Sequence, residues 1–169
     1  AGRYILGPEV DAFEREYADY CETKHCIGVA NGLDAISLTL RAMDIGPGDE
    51  VIVPSHTFIA TWLAVSHAGA TPVAVEPEED FFTIDASRLA QACTAKTKAI
   101  IPVHLYGHPA DMDPIMQLAA SRGIKVLEDA AQSHGARYKG RRTGGLGHAA
   151  AFSFYPVKNL GALDRLFPK

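Results

Sequence analysis

Short apolar runs of strand length recur along this chain, each separated from the next by a segment of helical periodicity. That alternation restricts the fold more than any single motif. Val51-Ile52-Val53 reads as a buried strand, followed by a helix over residues 57–67 that ends at Gly69. The pattern then repeats. Residues 72–75 form a strand and 86–93 a short helix; 99–103 form a strand and 112–122 a helix closed by Gly123; residues 126–129 form a further strand. Upstream, Gly7-Pro8 reads as a cap with proline in the first helical position, where its missing N–H removes no bond. Val10, Phe13, Tyr17 and Tyr20 recur at helical spacing through about Glu22, and residues 27–30 read as a short strand. Asn31 opens a helix carrying Ile36, Leu38, Leu40 and Met43, and Pro47-Gly48-Asp49 is a turn. Residues 141–145 read as a loop between two short strands. Strands separated by helices in this way predict an α/β domain, with a mostly parallel sheet covered on both faces. In such sheets, ligands sit beyond the carboxyl ends of the strands.

Length and charge narrow the possibilities. At 169 residues the chain can build one good core, and length alone predicts one domain. A formal net charge of -4 gives no electrostatic reason to expect nucleic acid or an anionic membrane as partner. Cys21, Cys26 and Cys93 have neither zinc-site spacing nor an even count, so reduced thiols and a cytoplasmic location are expected, with no metal site. No signal peptide or bilayer-length apolar run is visible. Both ends read as cut, and residues 163–169 (L-D-R-L-F-P-K) match no periodic pattern.

Several polar features fall at the predicted strand ends. Residues 152–161 read F-S-F-Y-P-V-K-N-L-G: Phe152 and Phe154 alternate to one face of a strand, Ser153 to the other, and Pro156 stops the ladder. Lys158 therefore projects into a crevice, where an amine can form an imine with an aldehyde; a solvated surface lysine is the plainer reading. The Ser153 hydroxyl could bond a phosphate oxygen. Asn31-Gly32-Leu33-Asp34 opens a helix, where free N–H groups and the close approach allowed by Gly32 suit a phosphate; an ordinary Asx cap competes. The glycine fingerprint of dinucleotide binding is absent. Asp129 could pair with a protonated ring nitrogen or merely cap the next segment, and Gln132 could donate to a phenolate oxygen from the same loop. Phe58 could lie flat on an aromatic ring or belong to the core. Taken together and in this order, these are the parts of a pyridoxal 5'-phosphate (PLP) site.

Six stretches carry a family resemblance. They are N-G-L-D-A at 31–35, G-P-G-D-E-V-I-V-P at 46–54, T-F-I-A-T at 57–61, P-V-H-L-Y-G-H-P-A-D-M-D at 102–113, E-D-A-A-Q-S-H-G-A at 128–136 and the lysine segment at 152–161. In these the chain resembles the DegT/DnrJ/EryC1/StrS sugar aminotransferases of the type I PLP fold, over about residues 7–162. N-G-L-D, with V-E-P at 75–77, is similar in wording to members acting on dTDP-linked 3-keto-deoxysugars.

The resemblance implies a PLP-dependent transferase (aspartate aminotransferase-like) large domain, incomplete at its C-terminus. Residues 1–169 would be the N-terminal part and most of that domain, without the small C-terminal domain. It implies that Lys158 forms the imine, Asp129 partners the ring nitrogen, Phe58 stacks on the ring and Gln132 bonds its phenolic oxygen. Ser153 and the backbone of Gly32 and Leu33 would hold the phosphate. The implied reaction moves an amino group from an amino acid, with glutamate the expected donor, to a nucleotide-linked keto sugar for aminosugar, antibiotic or surface-polysaccharide synthesis. The full-length form would be a homodimer. After residues 160–162 (L-G-A) the family continues G-D-G-G-A and this chain does not, so a truncation or frame change is expected. An inactive or regulatory remnant is the alternative, and the chain alone is not expected to transaminate. Lysine rather than histidine at position 158 argues against a sugar dehydratase of the same family.

Overall fold

The computed structural model describes residues 6–162, so the tail read as aperiodic lies outside the described residues. The elements run α1 (Pro8–Tyr20), α2 (Gly32–Ala42), β1 (Glu50–Pro54), α3 (Ile59–Ala68), β2 (Thr71–Val75), α4 (Ala86–Ala92) and β3 (Thr97–Ile100). A 3-10 turn (Leu105–Gly107) follows, then α5 (Met112–Arg122), β4 (Lys125–Asp129), the hairpin strands β5 (Arg137–Tyr138) and β6 (Arg141–Arg142), and β7 (Ala149–Ala151). The main sheet has the order β2-β1-β3-β4-β7, with every pair parallel. The predicted α/β architecture is therefore the observed one. Among the described residues no helix is long and apolar enough to cross a membrane.

Alternation along the strands builds two cores. Val51 and Val53 of β1, with Leu127 of β4, face a layer containing Ile36 and Leu40 of α2 and Ala64 and Val65 of α3. Ile52 and Val126 point the other way, onto Leu89 of α4 and Met112 and Ile115 of α5. The helices end as their sequences dictate. Gly69 and Gly123 close α3 and α5 in the left-handed conformation, where a side chain would be strained.

Three local expectations are corrected. Residues 27–30 form no strand: Ile27 is 79% exposed, and Gly28 N–H donates to Glu14 Oε1 at 2.6 Å rather than to a neighbouring strand. Arg141 and Arg142 belong to a hairpin strand, not to a loop. The ladder before Lys158 ends at Ala151, before the Phe152–Phe154 alternation begins and not at Pro156. Phe152 and Phe154 nonetheless point the same way, each 5.1 Å from the Tyr17 ring of α1 and 5.2 Å from the His134 ring. Extended backbone sets that alternation without needing a partner strand.

Candidate active site

Asp129 is the last residue of β4, at the carboxyl edge of the sheet, and is buried. Its N–H donates to the Pro102 carbonyl at 2.9 Å and its carbonyl accepts from His104 N–H at 3.0 Å, so the backbone is fixed on both sides. Because Leu127 faces the α2/α3 layer, Asp129 two residues on faces it too. There Thr61 Oγ1 of α3 donates to Asp129 Oδ2 at 2.8 Å, and Ala131 N–H donates to Oδ1 at 3.2 Å. Burial pushes the Asp129 carboxyl above its usual range, and the Thr61 and Ala131 hydrogen bonds only partly offset that.

Gln132 follows in the turn after β4. Its Oε1 accepts Tyr106 N–H at 2.8 Å, so its Nε2 hydrogens are the end left to donate to a ligand. Tyr106 takes φ +55°, in the left-handed region, and its side chain is exposed. A bulky residue keeps that backbone only where its surroundings impose it. Glu128 points to the opposite face from Asp129 and anchors His104, two residues before Tyr106. Its buried carboxylate accepts from His104 Nε2 at 2.9 Å and from the N–H groups of Gly144, Leu146 and Gly147, each at 2.8 Å. His104 Nδ1 accepts Ala110 N–H at 3.1 Å, which assigns the ring proton to Nε2. Burial alone would raise the Glu128 carboxyl; the His104 hydrogen bond and the backbone N–H groups outweigh it and hold the group below its usual range.

A second wall is made by α2. Asn31 caps it: Oδ1 accepts Asp34 N–H at 2.9 Å, and the Asn31 carbonyl accepts that of Ala35 at 3.0 Å. The N–H groups of Gly32 and Leu33, first and second in the helix, have no intrahelical acceptor. Gly32 lies against Ser153; a Cβ there would come within 3.1 Å of Ser153 Cβ and 3.4 Å of the Phe152 carbonyl. The helix start and the Ser153 hydroxyl thus share one corner. Phe58 is the N-cap of α3 and is 68% exposed, which overturns its reading as a core residue. Lys158 is half-buried in a turn held by its own N–H to the Tyr155 carbonyl at 2.9 Å. Its charge acts on both Asp129 and His134.

Gly32, Leu33 and Ser153 form the corner, while Asp129, Gln132 and Lys158 gather around the end of β4. Thr57, Thr61, His104 and Glu128 carry no role in the sequence reading. For Glu128 a signal exists, since a carboxylate amid a run of buried strand residues must find donors. A buried carboxylate, a half-buried lysine whose charge reaches it, and helix N–H groups without intrahelical acceptors therefore lie near one another.

These features belong to an α/β architecture built on a parallel sheet. The family described as the DegT/DnrJ/EryC1/StrS aminotransferase family matches residues 1–164, and the chain belongs to it. It is 62% identical over 161 residues to a dTDP-3-amino-3,4,6-trideoxy-alpha-D-glucose transaminase of Streptomyces venezuelae, covering 95% of this chain and 42% of the relative. The crystal structure of S. venezuelae DesV in complex with a ketimine intermediate superposes with a TM-score of 0.92 at 60% identity, covering 96% of this chain and 44% of that one. NtdA of Bacillus subtilis, solved with the cofactor PMP bound, gives a TM-score of 0.87 at 38% identity over 93% of this chain and 35% of that one. The chain spans less than half the length of these proteins.

Proposed function

We propose that the protein to which this chain belongs is a PLP-dependent aminotransferase, passing an amino group from an amino acid to a nucleotide-linked keto-deoxysugar. The observation that carries it is a buried carboxylate, Asp129, at the carboxyl edge of a parallel sheet and within the field of the half-buried Lys158. A relative at 62% identity that bears a dTDP-aminosugar transaminase name supports the substrate class. Residues 1–169 would be the N-terminal part and most of the cofactor-binding large domain, with the small domain outside them. The full-length protein would work as a cytoplasmic homodimer with glutamate as amino donor.

The residues fit the cofactor. The N–H groups of Gly32 and Leu33, which lack intrahelical acceptors, and the adjacent Ser153 hydroxyl would hold a phosphate, and the close approach of Ser153 leaves no space for a Cβ at Gly32. Asp129 would hold a proton on the ring nitrogen, Gln132 Nε2 would donate to the phenolic oxygen, and Phe58 would pack on the ring. The bound cofactor supplies an electron sink and carries the amino group. Lys158 Nζ would be the attachment point and the base that takes up and returns the substrate's proton.

Borohydride reduction of the full-length, PLP-loaded protein is expected to leave the pyridoxyl group on Lys158 in peptide mapping; a label on Lys125 or Lys139 would sink the assignment. The phosphate corner has its own test. Gly32→Val would force a side chain against Ser153, and overpacking of this kind disfavours a site by about 1–3 kcal/mol. Equilibrium dialysis should therefore show PLP affinity reduced by about tenfold or more, with inorganic phosphate competing less well. Unchanged retention would move the phosphate elsewhere.

A further inference from the structure

The Asp129 carboxylate is held by more than its burial. Thr57 and Thr61 lie four residues apart at the entry to α3, with their hydroxyl oxygens 3.0 Å apart. An ionised carboxylate only accepts, so the Thr61 hydroxyl, 2.8 Å from Asp129 Oδ2, must spend its proton there. Thr61 Oγ1 then has only lone pairs for Thr57, and Thr57 must be the donor between the two. The direction of both O–H groups is fixed, while Ala131 N–H fixes the other carboxylate oxygen at 3.2 Å. Thr61 is buried, 1% exposed, so no solvent competes for its hydroxyl.

We propose that Thr57 and Thr61 form a directed hydroxyl relay that clamps Asp129 and positions the proton it shares with the cofactor's ring nitrogen, an inference that rests on the PLP reading above. A donor on Oδ2 stabilises the carboxylate against its protonated form. It therefore favours the arrangement with the proton on nitrogen and the negative charge on Asp129 over the neutral pair with the proton on oxygen. Thr61 is a positioning residue here: it acts on the ring only through Asp129.

The test is 15N NMR of the full-length protein loaded with PLP labelled at the ring nitrogen, recorded across pH. Thr61→Val keeps the shape and removes the donor. A hydrogen bond to a charged group accounts for about a tenfold change or more. Where nitrogen and Asp129 share one proton, the nitrogen-bound form should therefore lose about tenfold to the oxygen-bound form, read as a 15N signal displaced toward the unprotonated value. Thr61→Ser should restore the wild-type signal, and Thr57→Val should move it the same way by less. A Thr61→Val signal that follows wild type at every pH, or a Thr61→Ser signal displaced as far as that of Thr61→Val, would overturn the relay. If Thr61→Val fails to fold, Thr57→Val decides, because that half-buried site lies ahead of the helix; an unmoved signal there overturns the relay. A wild-type signal identical to free cofactor would instead overturn the PLP reading itself.

Discussion

Lys158→Ala in the full-length protein is expected to lower kcat by about 10²–10⁴-fold through loss of proton transfer alone, since a positioned base contributes that much. On the proposed role, loss of the covalent attachment point would deepen the defect. Folding should be nearly unaffected: Lys158 lies in a turn whose neighbours Tyr155, Val157 and Leu160 are exposed, and such sites shift stability by about 0.5 kcal/mol or less. Single-turnover kinetics with glutamate, beside a thermal melt, separates the two. A variant that melts like wild type but turns over within about tenfold of it would remove Lys158 from the chemistry.

The largest stability effect is expected at Glu128. Replacing it with alanine leaves His104 Nε2–H and the N–H groups of Gly144, Leu146 and Gly147 buried without an acceptor. Each unsatisfied buried donor costs about 1–3 kcal/mol, so even after relaxation the loss should reach about 3–5 kcal/mol. Urea unfolding of the full-length protein measures it, and a loss below about 1 kcal/mol would mean the site refills with water. The pH dependence has a defined sign. The folded-state carboxyl sits below its unfolded value, so its contribution is full above about pH 4.3 and disappears as pH falls through the depressed folded-state value. Glu128→Gln should flatten the acid limb of the stability curve in that window.

Much of this arrangement was legible from residues alone. The two-faced sheet follows from Val51-Ile52-Val53, whose consecutive side chains enter different cores. The corner at Gly32 and Ser153 was visible as a capped helix start and a hydroxyl between two phenylalanines. What could not be read is what depends on neighbours distant in sequence. Residues 27–30 have strand composition but no adjacent strand to accept their hydrogen bonds, so local propensity misled. Thr57 and Thr61 look like any polar pair at a helix entry, and only the β4 carboxylate, 68 residues from Thr61, gives the hydroxyls a direction. His104 likewise gains meaning only from Glu128, 24 residues on.

Adjacent residues of one strand carry the two decisive carboxylates, Glu128 to one side of the sheet and Asp129 to the other. Their assignments are thus a matter of phase. Inserting or deleting a single residue within β4 would turn every later side chain to the opposite face. Glu128 would then present its charge to Thr61, and Asp129, one methylene shorter, would be offered to the N–H groups that a glutamate now reaches. The strand can accept changes of side chain at Val126 or Leu127 for modest loss, but not a change of length. In this protein's lineage, gaps should fall in the loops around β4 and never inside it.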